Sequence, residues 1–172
     1  MLQAVNSKDW MAAPRTSLGR WRNFMSLPKR HRAVLLRAVA LLPLVAAGLR
    51  LRGFGPVQAN LAQIAGRLSR SSASTPHAID VETVTGLVDL AARKGLVRAN
   101  CLERSLALWF LLRREGIETD LRVGVRRRSN AEPAMFHAWI EHQNRVINDA
   151  PDVSDQYQPF RLSLMPRGAG FD

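Results

Sequence analysis

Cysteine is almost missing from this chain: Cys101 is the single one in 172 residues. No intramolecular disulfide can form, and a short chain with a free thiol fits a reducing compartment, so the cytoplasm is the expected location. One thiol and four scattered histidines lack the spacing of a zinc site, and no metal or other cofactor is expected. Acidic residues are nearly absent from the first 70 positions, where Asp9 alone faces twelve Lys and Arg. The whole formal charge of +11 therefore sits there, because the remainder carries thirteen residues of each sign. Long apolar runs are scarce too. The one long run, residues 38–49, covers about 18 Å as a helix against ~30 Å of bilayer core, and Arg37 and Arg50 close it, so it predicts a buried or interfacial helix. Residues 1–32 are polar and basic where a signal peptide needs its apolar stretch, which predicts no secretion. No aromatic accompanies the arginines between Arg30 and Arg52 and no nucleic-acid reading motif appears, so nucleic acid is not an expected partner. An anionic membrane surface, or an acidic protein or peptide, remains open to the basic block. Internal repeats and low-complexity tracts are absent.

What is present is mostly helical until about residue 115. Residues 1–19 have no periodicity and read as a flexible tail. Residues 20–70 form a basic helical portion: a short amphipathic helix from Trp21 to Leu27, then a helix over about 29–51 that Pro43 should kink. Gly53-Phe54-Gly55-Pro56 reads as punctuation, and Val57, Leu61, Ile64 and Leu68 then mark one face of a further helix. The Ser-rich segment 69–76 is the best linker candidate, and residues 77–172 are expected to be the core that follows it. Within it Val81, Val84, Leu87, Val88 and Ala91 predict a helix over about 80–94, with Gly95 ending it. Asn100 and Glu103 form an N-cap and N3 pair for the next helix, which Gly116 stops and whose apolar density suits a central position. Leu121, Val123 and Val125 alternate with polar neighbours as in a half-buried strand. A basic loop follows around Arg126-Arg127-Arg128, then strand-like pieces at 136–141 and 145–148.

Cys101 lies in the first turn of the predicted central helix, His137 lies on a strand, and Asp149 follows twelve residues later. A cysteine attacks as thiolate, and an unperturbed pKa of about 8.5 leaves little thiolate at neutral pH. A helix N-terminus and a neighbouring imidazolium both favour the charged form. His137 is the expected general base and acid, Asp149 the residue that fixes its tautomer, and the backbone amide of Cys101 a candidate oxyanion donor.

A hairpin count makes the last pairing a geometric expectation. If His142-Gln143-Asn144 is a three-residue loop, Glu141 pairs with Arg145 and His137 lies opposite Asp149, with Cβ atoms ~5 Å apart on one face. A two-residue loop, Gln143-Asn144, would set Asp149 opposite Ala138 and on the other face. The sequence reading therefore demands the odd loop.

The series Cys101-Leu102-Glu103-Arg104-Ser105-Leu106-Ala107-Leu108, Leu111-Leu112-Arg113-Arg114-Glu115-Gly116-Ile117, Leu121-Arg122-Val123-Gly124-Val125, His137-Ala138-Trp139-Ile140-Glu141 and Val146-Ile147-Asn148-Asp149 resembles the leader peptidases of lasso-peptide biosynthesis. The likeness is strong over about residues 80–160 and loose over 20–70. It implies an α+β, papain- and transglutaminase-like cysteine protease domain with a helical N-terminal portion and a small antiparallel sheet. It also implies a Cys101, His137, Asp149 peptidase that removes the leader from a ribosomally made precursor, before a partner cyclase closes the macrolactam. The basic helical pattern ahead of residue 80 does not match the winged-helix-like recognition unit of fused members. The resemblance therefore implies the split form, which relies on a separate leader-recognition protein.

Competing residues rank lower. Asp152 is an alternative orienting acid, but it lies past Pro151, where strand pairing must end. His142 reads as a solvated turn residue, and His31 and His77 have no partner pattern. Trp139 reads first as core packing, and the triple arginine as a solvated loop that an acidic leader could use.

Overall fold

The computed structural model describes residues 24–72, 79–126 and 134–160. The expected tail, linker residues 73–76 and loop residues 127–133 lie outside that set, as do His77 and the start of the helix expected from Trp21, of which residues 24–26 are helical. Four long helices come first: α1, Lys29–Arg52; α2, Phe54–Ser72; α3, Val81–Lys94; and α4, Cys101–Arg114. Strands β1, Asp120–Arg126, β2, Met135–His142, and β3, Arg145–Val146, follow, then a single turn α5, Val153–Gln156, and β4, Gln158–Pro159.

Local chemistry sets the helix ends. Asp80 caps α3 by accepting from the Thr83 amide at 2.7 Å and the Thr83 hydroxyl at 2.8 Å, and Gly95 closes it. At α4 the full reciprocal box forms: Asn100 Oδ1 accepts from the Glu103 amide and Glu103 Oε2 from the Asn100 amide, both at 2.9 Å. Its other end is a Schellman motif, in which Gly116 takes φ 79° while Ile117 N donates to Leu112 O and Gly116 N to Arg113 O. Between α1 and α2 the break is narrower than the expected four residues. Gly53 alone, at φ 76°, turns the chain, and Gly55 and Pro56 are already in the first turn of α2.

The helices pack on each other and on one face of the sheet. Residues 106–112 of α4 are all buried, and this helix touches α1, α2, α3, β1 and β2, as expected of a central element. In α2 the buried positions are Val57, Leu61 and Ala65, while Ile64 is 45% exposed, so the inward face is rotated from the one its larger side chains suggested. At the start of α2 the first helix comes close: a Cβ on Gly48 would stand 3.0 Å from Val57 Cγ2. Val34, Ala38, Leu42, Val45 and Ala46 line the inner side of α1, which runs helical through Pro43.

The sheet is antiparallel throughout, ordered β3-β2-β1-β4. Leu121 pairs with Ile140 and Val123 with Ala138, and these side chains join the helical core. The alternate residues, Arg122 with Trp139 and Gly124 with His137, share the opposite face. That face is covered as well, since Trp139 is wholly buried and Tyr157, at the end of α5, reaches over it. Gly124 makes room: a Cβ there would lie 2.9 Å from Trp139 Cη2 and 3.0 Å from Tyr157 Cβ.

Candidate active site

The hairpin joining β2 to β3 is where the structure overturns the counting argument. His142 pairs with Arg145 and Glu141 with Val146, so the loop is the two-residue Gln143-Asn144, with φ of 50° and 61° as an inverse-hand type I turn requires. His142 is thus a strand residue, and its ring Nδ1 donates to Glu118 O at 2.8 Å. Continued as a ladder, this register would put Asp149 on the wrong face. Yet His137 Nε2 and Asp149 Oδ2 stand 2.7 Å apart.

The reason is that the ladder stops. Ile147 N still donates to Ile140 O at 3.0 Å, but the Ile140 amide turns to the Asn148 side chain, whose Oδ1 accepts at 2.7 Å. A side-chain carbonyl has replaced the backbone one, and the chain bends through residues 147–149. Strand parity no longer governs Asp149, and its carboxylate swings to the histidine. The odd loop was therefore an unnecessary demand.

Around this bend α4 supplies the other half of the geometry. Ser105 Oγ, fully buried, donates to Ala138 O at 3.0 Å and accepts from Asn148 Nδ2 at 2.9 Å. Arg104 donates to Asn148 O at 3.1 Å, ion-pairs with Asp89 at 3.1 Å and approaches Asp149 Oδ2 at 3.5 Å. Asp149 Oδ1 accepts from the Ala150 amide. One carboxylate oxygen thus faces both His137 and an arginine of α4. Asp152, the alternative acid, instead holds Gln156 Nε2 at 3.0 Å.

A carboxylate only accepts, so the His137 Nε2 bears the proton it donates to Asp149, and in the neutral ring Nδ1 is left as the basic nitrogen. The ring is braced by Tyr157, stacked at 4.9 Å between centroids, and by Trp139 at 6.5 Å. Trp139 in turn donates its indole N–H to Glu141, whose other oxygen holds Arg122. Cys101, half-buried, is the first residue of α4, one helical turn before Ser105 and on the same side. No hydrogen bond joins its thiol to His137 or Asp149 among the described residues. The cap consumes the amides of Asn100 and Glu103, and Arg104 N makes the first helical bond to Asn100 O, which leaves the Cys101 and Leu102 amides unspent among the described residues.

Sequence reasoning named Cys101, His137 and Asp149 but gave no part to Arg104, Ser105, Asn148 or Tyr157. Ser105 offered a signal, as a hydroxyl opening an otherwise apolar stretch. Tyr157 offered none.

Comparison with known proteins agrees with this architecture. The profile of the transglutaminase-like superfamily matches residues 41–161, well over half of the chain. A curated relative, the microcin J25-processing protein McjB of Escherichia coli, is 36% identical over 61 residues. That stretch is 36% of this chain and 27% of the relative, so the match spans about a quarter of the relative's length. No solved structure matches.

Proposed function

Because the chain belongs to the transglutaminase-like superfamily, we propose that it is a cysteine peptidase that removes the leader from a ribosomally made lasso-peptide precursor. The observation that carries the reading is the 2.7 Å His137–Asp149 hydrogen bond, clasped by Arg104 from the helix that Cys101 opens. The relative's role in processing microcin J25 supports the substrate class. Cys101 is the nucleophile, His137 the general base and acid, and Asp149 the residue that holds the imidazole.

His137 Nδ1 takes the thiol proton and Sγ attacks the scissile carbonyl carbon. The oxyanion that forms is met by the N–H groups left unspent in the first turn of α4, those of Cys101 and Leu102, where the helix dipole also favours negative charge. Collapse expels the amine, which takes its proton from the imidazolium and leaves a thioester on Cys101. Water, deprotonated by His137, then releases the acid and regenerates the thiol. Throughout, Asp149 keeps Nε2 protonated and Nδ1 turned to the reacting atoms. The leader is presented by a separate recognition protein and the trimmed peptide passes to a macrolactam-forming cyclase, in a reducing compartment that keeps the thiol free.

The test combines the chain with a precursor and its recognition protein and follows cleavage by mass. Cys101→Ala and His137→Ala abolish cleavage while folding is retained, and Asp149→Ala leaves a partial activity. Full cleavage by Cys101→Ala sinks the mechanism. A severe loss in Asp152→Ala beside an intact Asp149→Ala would reassign the acid. Superfamily membership also favours a second reading, acyl transfer to an amine through the same three residues; incorporation of an amine into a glutamine donor would establish it.

A further inference from the structure

The side of α1 that faces away from the core is apolar. Leu36, Leu44 and Leu51 are 57%, 69% and 83% exposed, and Ala40 and Ala47 between them are exposed too. The five recur at intervals of four, four, three and four residues, which draws a continuous stripe about 22 Å long on one side of the helix. Lys29 and Arg30 precede it and Arg50 and Arg52 flank its last residue, all exposed, and none forms an ion pair with another described residue. Neither α1 nor α2 contains an acid.

We propose that this face lies on an anionic membrane surface, with the three leucines at the level of the acyl chains and the terminal basic residues among the headgroups. A helix with an aliphatic face and basic flanks has the chemistry of an interfacial anchor, since long basic side chains reach outward while their stems cover apolar surface. Although α1 is long and apolar enough to cross a bilayer by length and composition, its other side is committed. Val34, Ala38, Leu42, Val45 and Ala46 are packed in the core, and Arg37 reaches Glu115, the residue that caps the end of α4, at 3.5 Å. The helix can rest on the membrane without leaving the fold. A second copy of the chain is disfavoured, because pairing two such stripes antiparallel sets Lys29 and Arg30 against Arg50 and Arg52. Nucleic acid would find no aromatic in the stripe on which to stack a base.

This proposal does not rest on the catalytic reading, and its test needs no substrate. The full chain is sedimented with vesicles of phosphatidylglycerol and phosphatidylcholine in equal parts, and with phosphatidylcholine alone. The expected result is about ten-fold stronger binding to the anionic vesicles, falling with added salt. The triple variant Leu36→Gln, Leu44→Gln, Leu51→Gln loses about ten-fold of that binding while its circular dichroism and Tm stay those of the parent, because the three side chains make little of the core. Absence of binding to anionic vesicles overturns the proposal, as does a triple variant that binds as well as the parent. A parent that elutes as a dimer which the triple variant dissolves assigns the stripe to a second copy and equally overturns it. If the stripe instead takes up the leader-recognition protein, with loss in the triple variant and no lipid binding, the face belongs to a protein partner.

Discussion

Replacing Asn148 by alanine tests the bend on which the site depends. Its side chain makes two part-buried hydrogen bonds, accepting from the Ile140 amide at 2.7 Å and donating to Ser105 Oγ at 2.9 Å. Ile140 is wholly buried, so its amide would lose its partner where water cannot replace it, at a cost of about 1–3 kcal/mol. Ser105 keeps its bond to Ala138 O, so losing Asn148 there costs less, about 0.5–1.5 kcal/mol. Together these give roughly 2–4 kcal/mol, which for a chain of this size lowers Tm by on the order of 10 °C. Thermal denaturation by circular dichroism measures it. A double-mutant cycle with Ser105→Ala should return a coupling of about 0.5–1.5 kcal/mol, since the two side chains share one bond. The cleavage rate should fall as well, because Asp149 is the next residue and loses the bend that turns it to His137. A Tm within a degree or two of the parent, or strictly additive single effects, would refute the claim that a side-chain carbonyl in place of a ladder bond holds this bend.

Two other perturbations test the supports around it. Gly124→Ala drives a Cβ into Trp139 and Tyr157, at 2.9 and 3.0 Å; it should cost about 1–3 kcal/mol by thermal denaturation and slow cleavage by displacing the ring stacked on His137. At the start of α3, burial acts to raise the pKa of Asp80, but hydrogen bonds from the Thr83 amide and hydroxyl, its own backbone and the field of His31 outweigh it and leave the carboxyl below its ordinary range. With the folded value depressed, its contribution to stability is present above about pH 4 and lost as the pH falls through the folded value. Asp80→Ala should therefore cost about 1 kcal/mol at neutral pH and flatten the acid limb of a stability profile; an unchanged acid limb would count against the cap.

Much of the frame was legible because it is local. The reciprocal Asn100 and Glu103 bonds and the Gly116 stop each join groups three to five residues apart, and residue type alone selects them. Their consequence for the site, a cysteine at the N-terminus of a central helix, was readable for the same reason. Partial errors arose where packing chose between near-equal options. The inward face of α2 took Ala65 over Ile64, and pattern alone weighs the larger side chain more heavily.

By itself the sequence determined the three candidate residues, the elements that carry them and the concentration of positive charge ahead of the core. Only the tertiary structure decided how His137 and Asp149 meet. Counting along a hairpin assumes that backbone pairs with backbone, and here the Asn148 side chain ends the ladder and frees Asp149 from its parity. The bonds that enforce this join Ser105 to Ala138 and Asn148, and Arg104 to Asn148, across 33 to 44 residues of chain. Such bonds exist only once α4 has packed against β2, so nothing in the local order of residues could announce them.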